Sequence, residues 1–291
     1  TLRVLGTPTL TPLAAPTLTP SPTETLPPCD ETEGQMVYGS VSSAVTGREL
    51  RYRVYLPPCY ASTARRYPYL IIFHGLGDGM NDSQWDRMGL DEAADIGYAR
   101  GSLPPMIIVM PNGEDGLHAL NPDNYNYSYE RQIVEELMPH IETHFCTWNT
   151  SATRSIGGLS RGGFWAFEIA FRHPELFDRV GGHSLAIFDD GNPEYNPYFL
   201  VDTALGIERL KMYLDHGGSD WTVDNIRYFV ERLRRRAIEP DYIVNPVGAH
   251  TEDYWSAHTA DYLAFYAADW PRDARELPSC HHPSPVETGG E

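Results

Sequence analysis

Apolar residues change their period several times along this chain, and each change marks an expected element. Val37 to Ala44 and Glu49 to Leu56 alternate around Thr46-Gly47, which predicts an antiparallel hairpin. Tyr69 to Phe73 and Met106 to Met110 are apolar throughout, the pattern of strands buried on both faces. From Tyr129 to Phe145 the period becomes helical, with Ile133, Leu137 and Ile141 on one face. Thr153 to Gly157 reads as a strand and Gly163 to Arg172 as a helix. A short strand near Val180, a strand over Leu210 to Asp215, a helix from Val223 and a strand over Tyr242 to Asn245 follow. Tyr254 to Asp269 is the last expected helix. Alternating strands and helices predict an α/β fold: a mainly parallel sheet with an antiparallel N-terminal edge and helices on both faces. The gaps are too short for a large cap domain, and no repeat is visible.

The chemistry concentrates at the expected ends of strands. Gly158-Leu159-Ser160-Arg161-Gly162 has the G-x-S-x-G form between a strand and a helix. That context describes a nucleophile elbow, a turn so tight that its serine oxygen stands out over the sheet. Two partners follow in the order Ser, Asp, His. The strand ending at Asp215 runs into His216-Gly217-Gly218-Ser219-Asp220, and the next strand ends in Pro246-Val247-Gly248-Ala249-His250. Ser160 would attack an acyl carbonyl, and His250 would take its proton. Asp220, with Asp215 as a rival, would hold the imidazole tautomer and stabilise its cation. After Tyr69 to Phe73 comes His74-Gly75-Leu76-Gly77-Asp78-Gly79, a turn able to aim backbone amides at a reacting oxygen. The expected oxyanion donors are the N–H groups of Leu76 and Arg161, each worth roughly 3 kcal/mol of transition-state stabilisation. Trp85, Trp221 and Trp255 lie close in sequence to these segments and are candidates for lining the substrate pocket. His183-Ser184, after another strand, is a weaker candidate for approaching the site.

With these motifs in place, the chain resembles the esterase D-type branch of the α/β-hydrolases. That branch includes feruloyl esterases, S-formylglutathione hydrolases and mycolyltransferases. The resemblance is carried, in collinear order, by Tyr67-Pro68 through Gly75 with Trp85, by Glu135-Glu136-Leu137 through Phe145, and by Gly158 to Gly163. It continues through His173-Pro174-Glu175-Leu176-Phe177, Gly217 to Asp220, and Gly248 to His250 with Trp255. It covers about residues 36–270. It implies an α/β-hydrolase fold, Asp220 rather than Asp215 as the triad acid, and Leu76 and Arg161 as oxyanion donors. Arg161 departs from the pattern, since the branch usually carries methionine after the serine. The backbone donor survives that change, but a cation at the cleft edge can alter substrate preference.

Composition narrows the setting. The net charge is −18, from 40 acidic and 22 basic residues, and Lys211 is the only lysine. Such a surface repels nucleic acid and anionic membranes, so neither is an expected partner. Arg232, Arg234, Arg235 and Arg236 end an expected helix, where cations complement the dipole. No apolar run approaches the roughly 20 residues of a membrane-spanning helix. Residues 1–28 are rich in Thr-Pro and Ser-Pro pairs and read as a linker or stalk, with a catalytic domain over 29–271 and a tail over 272–291. The stalk suggests a tether to a cell surface after loss of a leader. His281-His282 has no third ligand at metal spacing, and no metal or cofactor is expected. Cys29, Cys59, Cys146 and Cys280 form an even set without C-x-x-C spacing, which in an exported protein points to disulfides. Three pairings are open. The preferred one joins Cys29 to Cys59 and Cys146 to Cys280, the first closing a loop of about 30 residues worth roughly 3–4 kcal/mol.

The resulting expectation is a secreted or cell-surface serine carboxylesterase acting on short-acyl or hydroxycinnamoyl esters, free or linked to polysaccharide. An acyltransferase of the mycolyltransferase type would use the same triad. A non-catalytic surface module on a hydrolase scaffold is the alternative from a different class.

Overall fold

The structure, a computed structural model, describes residues 26–77, 79–113, 117–119 and 124–280. The Thr/Pro-rich residues 1–25 and the His281-His282 pair lie outside the described residues, so the stalk and tail expectations are not addressed there.

Eight strands form one sheet in the order β1-β2-β4-β3-β5-β6-β7-β8. They are β1 (Gln35–Ser43), β2 (Arg48–Leu56), β3 (Tyr69–Phe73), β4 (Ile107–Pro111), β5 (Arg154–Leu159), β6 (Arg179–His183), β7 (Lys211–Gly217) and β8 (Asp241–Asn245). The expected hairpin is β1–β2, and β2 runs antiparallel to β4. Every pairing from β4 to β8 is parallel. The carboxyl ends of β3, β5, β6, β7 and β8 therefore open toward one edge of the molecule, where loops gather.

Alternation along each strand divides the core in two. Tyr69, Ile71, Phe73, Ile156, Val180 and Leu214 face one layer. That layer holds the helix over residues 129–144, which contains a π-helical stretch at Gln132–Leu137, and the helices Arg161–Arg172 and Val223–Arg235. Leu70, Ile72, Ile108, Leu159 and Tyr213 face the other, against Leu90–Ala99 and Thr259–Tyr266. We label these helices α1 (Leu90–Ala99), α2 (129–144), α3 (Arg161–Arg172), α4 (Val223–Arg235), α5 (Glu252–Ser256) and α6 (Thr259–Tyr266). No cap domain stands over the sheet among the described residues.

Three departures from the sequence pattern have local causes. The helix expected from Gly163 starts at Arg161, immediately after the serine. The helix expected over Tyr254 to Asp269 is two helices, α5 and α6. The His258 ring Nδ1 donates to the Tyr254 carbonyl at 2.7 Å, while the His258 amide turns to Trp255 O at 3.1 Å. The side chain thus takes the acceptor that a continuous helix would give to the backbone. Helix α1 was not expected, because only Leu90, Ala94 and Gly97 of its ten residues are buried, a stripe too narrow to show among Asp91, Glu92 and Asp95.

The sulfurs of Cys29 and Cys59 are bonded, as are those of Cys146 and Cys280, each pair with Cα atoms 5.9 Å apart. The second bond carries the C-terminal segment back to the sheet, where Arg65 and Ser279 make an isolated antiparallel bridge.

Gly157 on β5 lies directly beneath Tyr266 of α6. A Cβ placed there would stand 1.7 Å from the Tyr266 hydroxyl and 2.4 Å from its Cζ. Overpacking of this kind costs about 1–3 kcal/mol. We expect Gly157→Ala to lower the melting temperature by roughly 3–10 °C, read by calorimetry or circular dichroism. An unchanged melting curve would contradict this packing.

Candidate functional site

Close packing of backbone creates the turn at Ser160. Ser160 has φ 53° and ψ −117°, a conformation that side chains rarely adopt. Its amide donates to His183 O on the adjacent strand at 2.8 Å, and its carbonyl accepts from the Ala186 amide at 3.1 Å. A Cβ on Gly162 would lie 2.4 Å from the carbonyl oxygens of both Phe73 and His74, and one on Gly158 would lie 2.4 Å from the Gly162 carbonyl carbon. The glycines of the motif let α3 start against the ends of β3 and β5, and the strained serine is the consequence.

Ser160 is 8% exposed. Its Oγ lies 2.8 Å from His250 Nε2. His250 Nδ1 lies 3.0 Å from Asp220 Oδ1 and 3.3 Å from Oδ2. A carboxylate only accepts, so Nδ1 carries the proton and Nε2 presents its lone pair to the serine hydroxyl. Three separate strand ends deliver these groups: β5 to Ser160, β7 to Asp220 and β8 to His250.

Asp220 is held by more than the histidine. The Thr222 amide and hydroxyl donate to its Oδ1 at 2.9 and 2.8 Å, and the Ser184 hydroxyl donates as well. Burial alone pushes this carboxyl up. Hydrogen bonds from His250, Ser184 and Thr222 outweigh it and hold the group at about 2. Asp215 is committed elsewhere. Fully buried, it accepts from His183 Nδ1 at 2.8 Å, Tyr254 OH at 2.6 Å and Tyr262 OH at 2.9 Å. His183 in turn accepts from Tyr266 OH at 2.8 Å. The two neighbouring aspartates therefore serve different networks.

The turn after β3 is fixed by its own side chains. His74 Nδ1 donates to Gly75 O at 2.6 Å, and its Nε2 accepts from the Gly113 amide at 2.8 Å. Gln84 Oε1 accepts the Gly75 amide at 2.8 Å. A Cβ on Gly75 would come 3.6 Å from Ser160 Cβ, so this backbone runs beside the serine. Leu76 follows at 56% exposure. The Arg161 amide is in the first turn of α3, where no intrahelical acceptor exists.

The three tryptophans separate. Trp85 is 1% exposed and donates from Nε1 to Phe73 O at 2.9 Å. It packs edge-on to His183 and Tyr262, so it is a core residue rather than a pocket lining. Trp255 is also buried; its Nε1 donates to Ser184 Oγ at 3.0 Å and its ring stands edge-on to His250 at 5.0 Å. It supports the histidine from below. Only Trp221 is open, at 57%, with its ring 4.7 Å from His250 and stacked on Phe188 at 6.0 Å. Phe188, Thr222 and Gln84 carried no signal in the sequence, because each reaches the site through a contact distant along the chain or through an unremarkable loop, while His74 was legible only as the start of a glycine-rich turn. Among the described residues, the only tight cluster of ligand-type side chains is Cys29, Glu31 and Cys59, and its sulfurs are consumed by a disulfide.

The Esterase family profile matches residues 43–266. An esterase of Mycobacterium tuberculosis strain H37Rv is 28% identical over 158 residues, covering 53% of this chain and 33% of that protein. An endo-1,4-beta-xylanase/feruloyl esterase of Xylanibacter ruminicola is 30% identical over 159 residues, covering 52% of this chain and 22% of that one. The matched segment is thus a third or less of each of these longer relatives. Among solved structures, a ferulic acid esterase superposes with a TM-score of 0.72 at 24% identity, covering 81% of this chain and 99% of its own. The fold is that of the α/β-hydrolase esterases.

Asp220 gives this site a pH signature. Its folded value near 2 lies below the unfolded value of about 3.9, so its charge stabilises the fold above about pH 4 and that contribution fades as pH falls toward 2. We expect wild type to exceed Asp220→Asn in stability by about 2 kcal/mol above pH 5. The gap should close near pH 2, as measured by paired urea titrations. A gap independent of pH would contradict the hydrogen-bonded carboxylate.

Proposed function

This chain belongs to the Esterase family and is a serine ester hydrolase, and from that premise we propose that it cleaves short-acyl or hydroxycinnamoyl esters through an acyl-enzyme on Ser160. One observation carries the mechanism: the unbroken line from Ser160 Oγ to His250 Nε2 and from His250 Nδ1 to Asp220. In the proposed cycle His250 removes the hydroxyl proton as Ser160 attacks the acyl carbon. The imidazolium that forms faces an ionised Asp220, and it returns the proton to the leaving alcohol. Water then repeats the sequence in reverse and frees the acid. The Leu76 and Arg161 amides would receive the charge that develops on the carbonyl oxygen. The fixed His74–Gly75 turn supports that assignment, because a pre-aimed donor need not reorganise during the reaction.

The preference for hydroxycinnamoyl or short acyl groups draws on the names of the relatives and on the open Trp221–Phe188 pair beside His250, a flat apolar surface suited to an aromatic ring. The two disulfides favour an oxidising location, outside the cytosol.

The test is hydrolysis of 4-nitrophenyl acetate, butyrate and octanoate beside methyl ferulate. Ser160→Ala should lose kcat by roughly 10⁶-fold and Asp220→Asn by roughly 10⁴-fold, with both variants folded. Turnover that persists in Ser160→Ala would overturn the acyl-enzyme. Preferential transfer to an added alcohol, rather than release of free acid, would make the chain an acyltransferase.

A further inference from the structure

Arg161 follows the proposed nucleophile directly, and its side chain is held in one place. Its Nε donates to His118 O at 2.9 Å, a carbonyl also bonded by Trp165 Nε1 at 2.8 Å. The guanidinium carbon lies 4.3 Å from the centre of the Phe164 ring and 5.2 Å from that of Trp165. Nε is thereby used, while neither terminal nitrogen makes a hydrogen bond or ion pair among the described residues. The residue is partly buried, and its terminal nitrogens are not among the fully buried polar atoms.

This placement is unfavourable for an unpartnered cation on three grounds. Burial lowers its pKa to about 10, a sign of lost hydration, though the group remains charged at neutral pH. It stands in the first turn of α3, the end where the helix dipole disfavours positive charge. Among the described residues, no carboxylate lies in ion-pair contact with it. Glu168, two turns along the same helix, is fully buried and pushed well above the ordinary carboxylate range by burial and by Glu130; its oxygens make no hydrogen bond, and it acts on Arg161 only from beyond contact distance. Asp190 is exposed and acts on Arg161 only from beyond contact distance. Burial, His74 and Arg161 itself keep the His118 imidazole neutral. Among the described residues, no anion meets this guanidinium.

The guanidinium lies against the turn at residues 117–119, through His118 O, and feels the charge of Asp190 on the loop after β6. A planar fork with two free nitrogens matches a carboxylate bidentately. We propose that Arg161 is a specificity-determining residue whose guanidinium binds a carboxylate borne by the substrate, so that this chain prefers anionic esters to neutral esters of the same size. The inference rests on the ester-hydrolysing reading above and adds the charge class of its substrate.

Two ester pairs test it. Mono-4-nitrophenyl adipate against 4-nitrophenyl hexanoate places the carboxylate on the acyl side. 4-Acetoxybenzoate against 4-acetoxybenzamide places it on the alcohol side. The readout is the anionic-to-neutral ratio of kcat/KM, in which any general loss of activity cancels, with Ser160→Ala as background. Arg161→Met should lower that ratio about tenfold in one pair, and that pair identifies the side of the ester that is recognised. A fall of about fivefold or more in either pair bears the proposal out, and a smaller change in both overturns it. If Arg161→Met does not fold, Arg161→Gln is read by the same criterion. If neither folds, the wild-type ratio must itself fall about fivefold between about 20 mM and about 1 M salt. Absence of Ser160-dependent turnover of all four esters would remove the esterase reading, and this proposal with it.

Discussion

No side chain fits at position 162. The start of α3 comes so close to the carbonyls of Phe73 and His74 that a single added carbon would overlap both. That approach ties three elements together. It sets the helix against β3 and β5, drives Ser160 into its left-handed turn, and brings the Gly75 backbone alongside the serine. The strain at Ser160 is sustained because the amide and carbonyl of this one residue are bonded to the strand and loop beside it. A relaxed turn would keep the same residues while pointing the hydroxyl elsewhere. The geometry between Ser160 and His250 is thus a property of backbone packing before it is a property of side chains.

Two aspartates five positions apart show how environment divides one residue type between two tasks. Asp215 lies inside the sheet layer, where two tyrosines and His183 saturate it. The His183 carbonyl holds the Ser160 amide, so this network stiffens the strand beneath the turn. Asp220 lies past the end of the same strand, where the chain bends back through Gly217 and Gly218 and the carboxylate meets His250. The glycines are required there, since a Cβ on Gly217 would lie 2.3 Å from Gly248 O on the loop that carries the histidine. The buried acid secures position, and the neighbouring acid faces the imidazole.

Much of the architecture was legible because the apolar period reports which faces a strand buries; β6, with Val180 as its one large apolar residue, and β8, whose Ile243 and Val244 are exposed, left the weakest mark. Ser160, Asp220 and His250 were legible for a related reason: each follows a strand and is flanked by glycines that announce a tight turn. The pocket was not. Trp85 and Trp255 lie near the reacting segments in sequence, yet their indoles turn inward to Phe73 O and Ser184 Oγ, because a buried N–H needs an acceptor. Ser184, a weaker candidate in the sequence because it follows a strand, does reach Asp220, whereas Thr222 escaped notice, since a short polar side chain in a loop has no pattern of its own. Helix α1 was hidden by its acids, and the break before α6 by a histidine whose ring replaces a backbone donor.

The charge of the whole molecule and the charge at the site point in opposite directions. A net −18 would seem to turn anions away. Most of that charge is on the surface, however, and in physiological salt its reach is about 8 Å. A guanidinium in direct contact with a carboxylate acts at about 4 Å in a partly desolvated pocket, where one pair interaction amounts to about 4 kcal/mol at an effective dielectric of 20. Contact therefore outweighs the distant field. The same locality governs the proposed reaction, in which negative charge would grow beside the Arg161 amide and positive charge beside Asp220. The acidic exterior sets how quickly an anionic ester arrives, and Arg161 sets how well it is held once there.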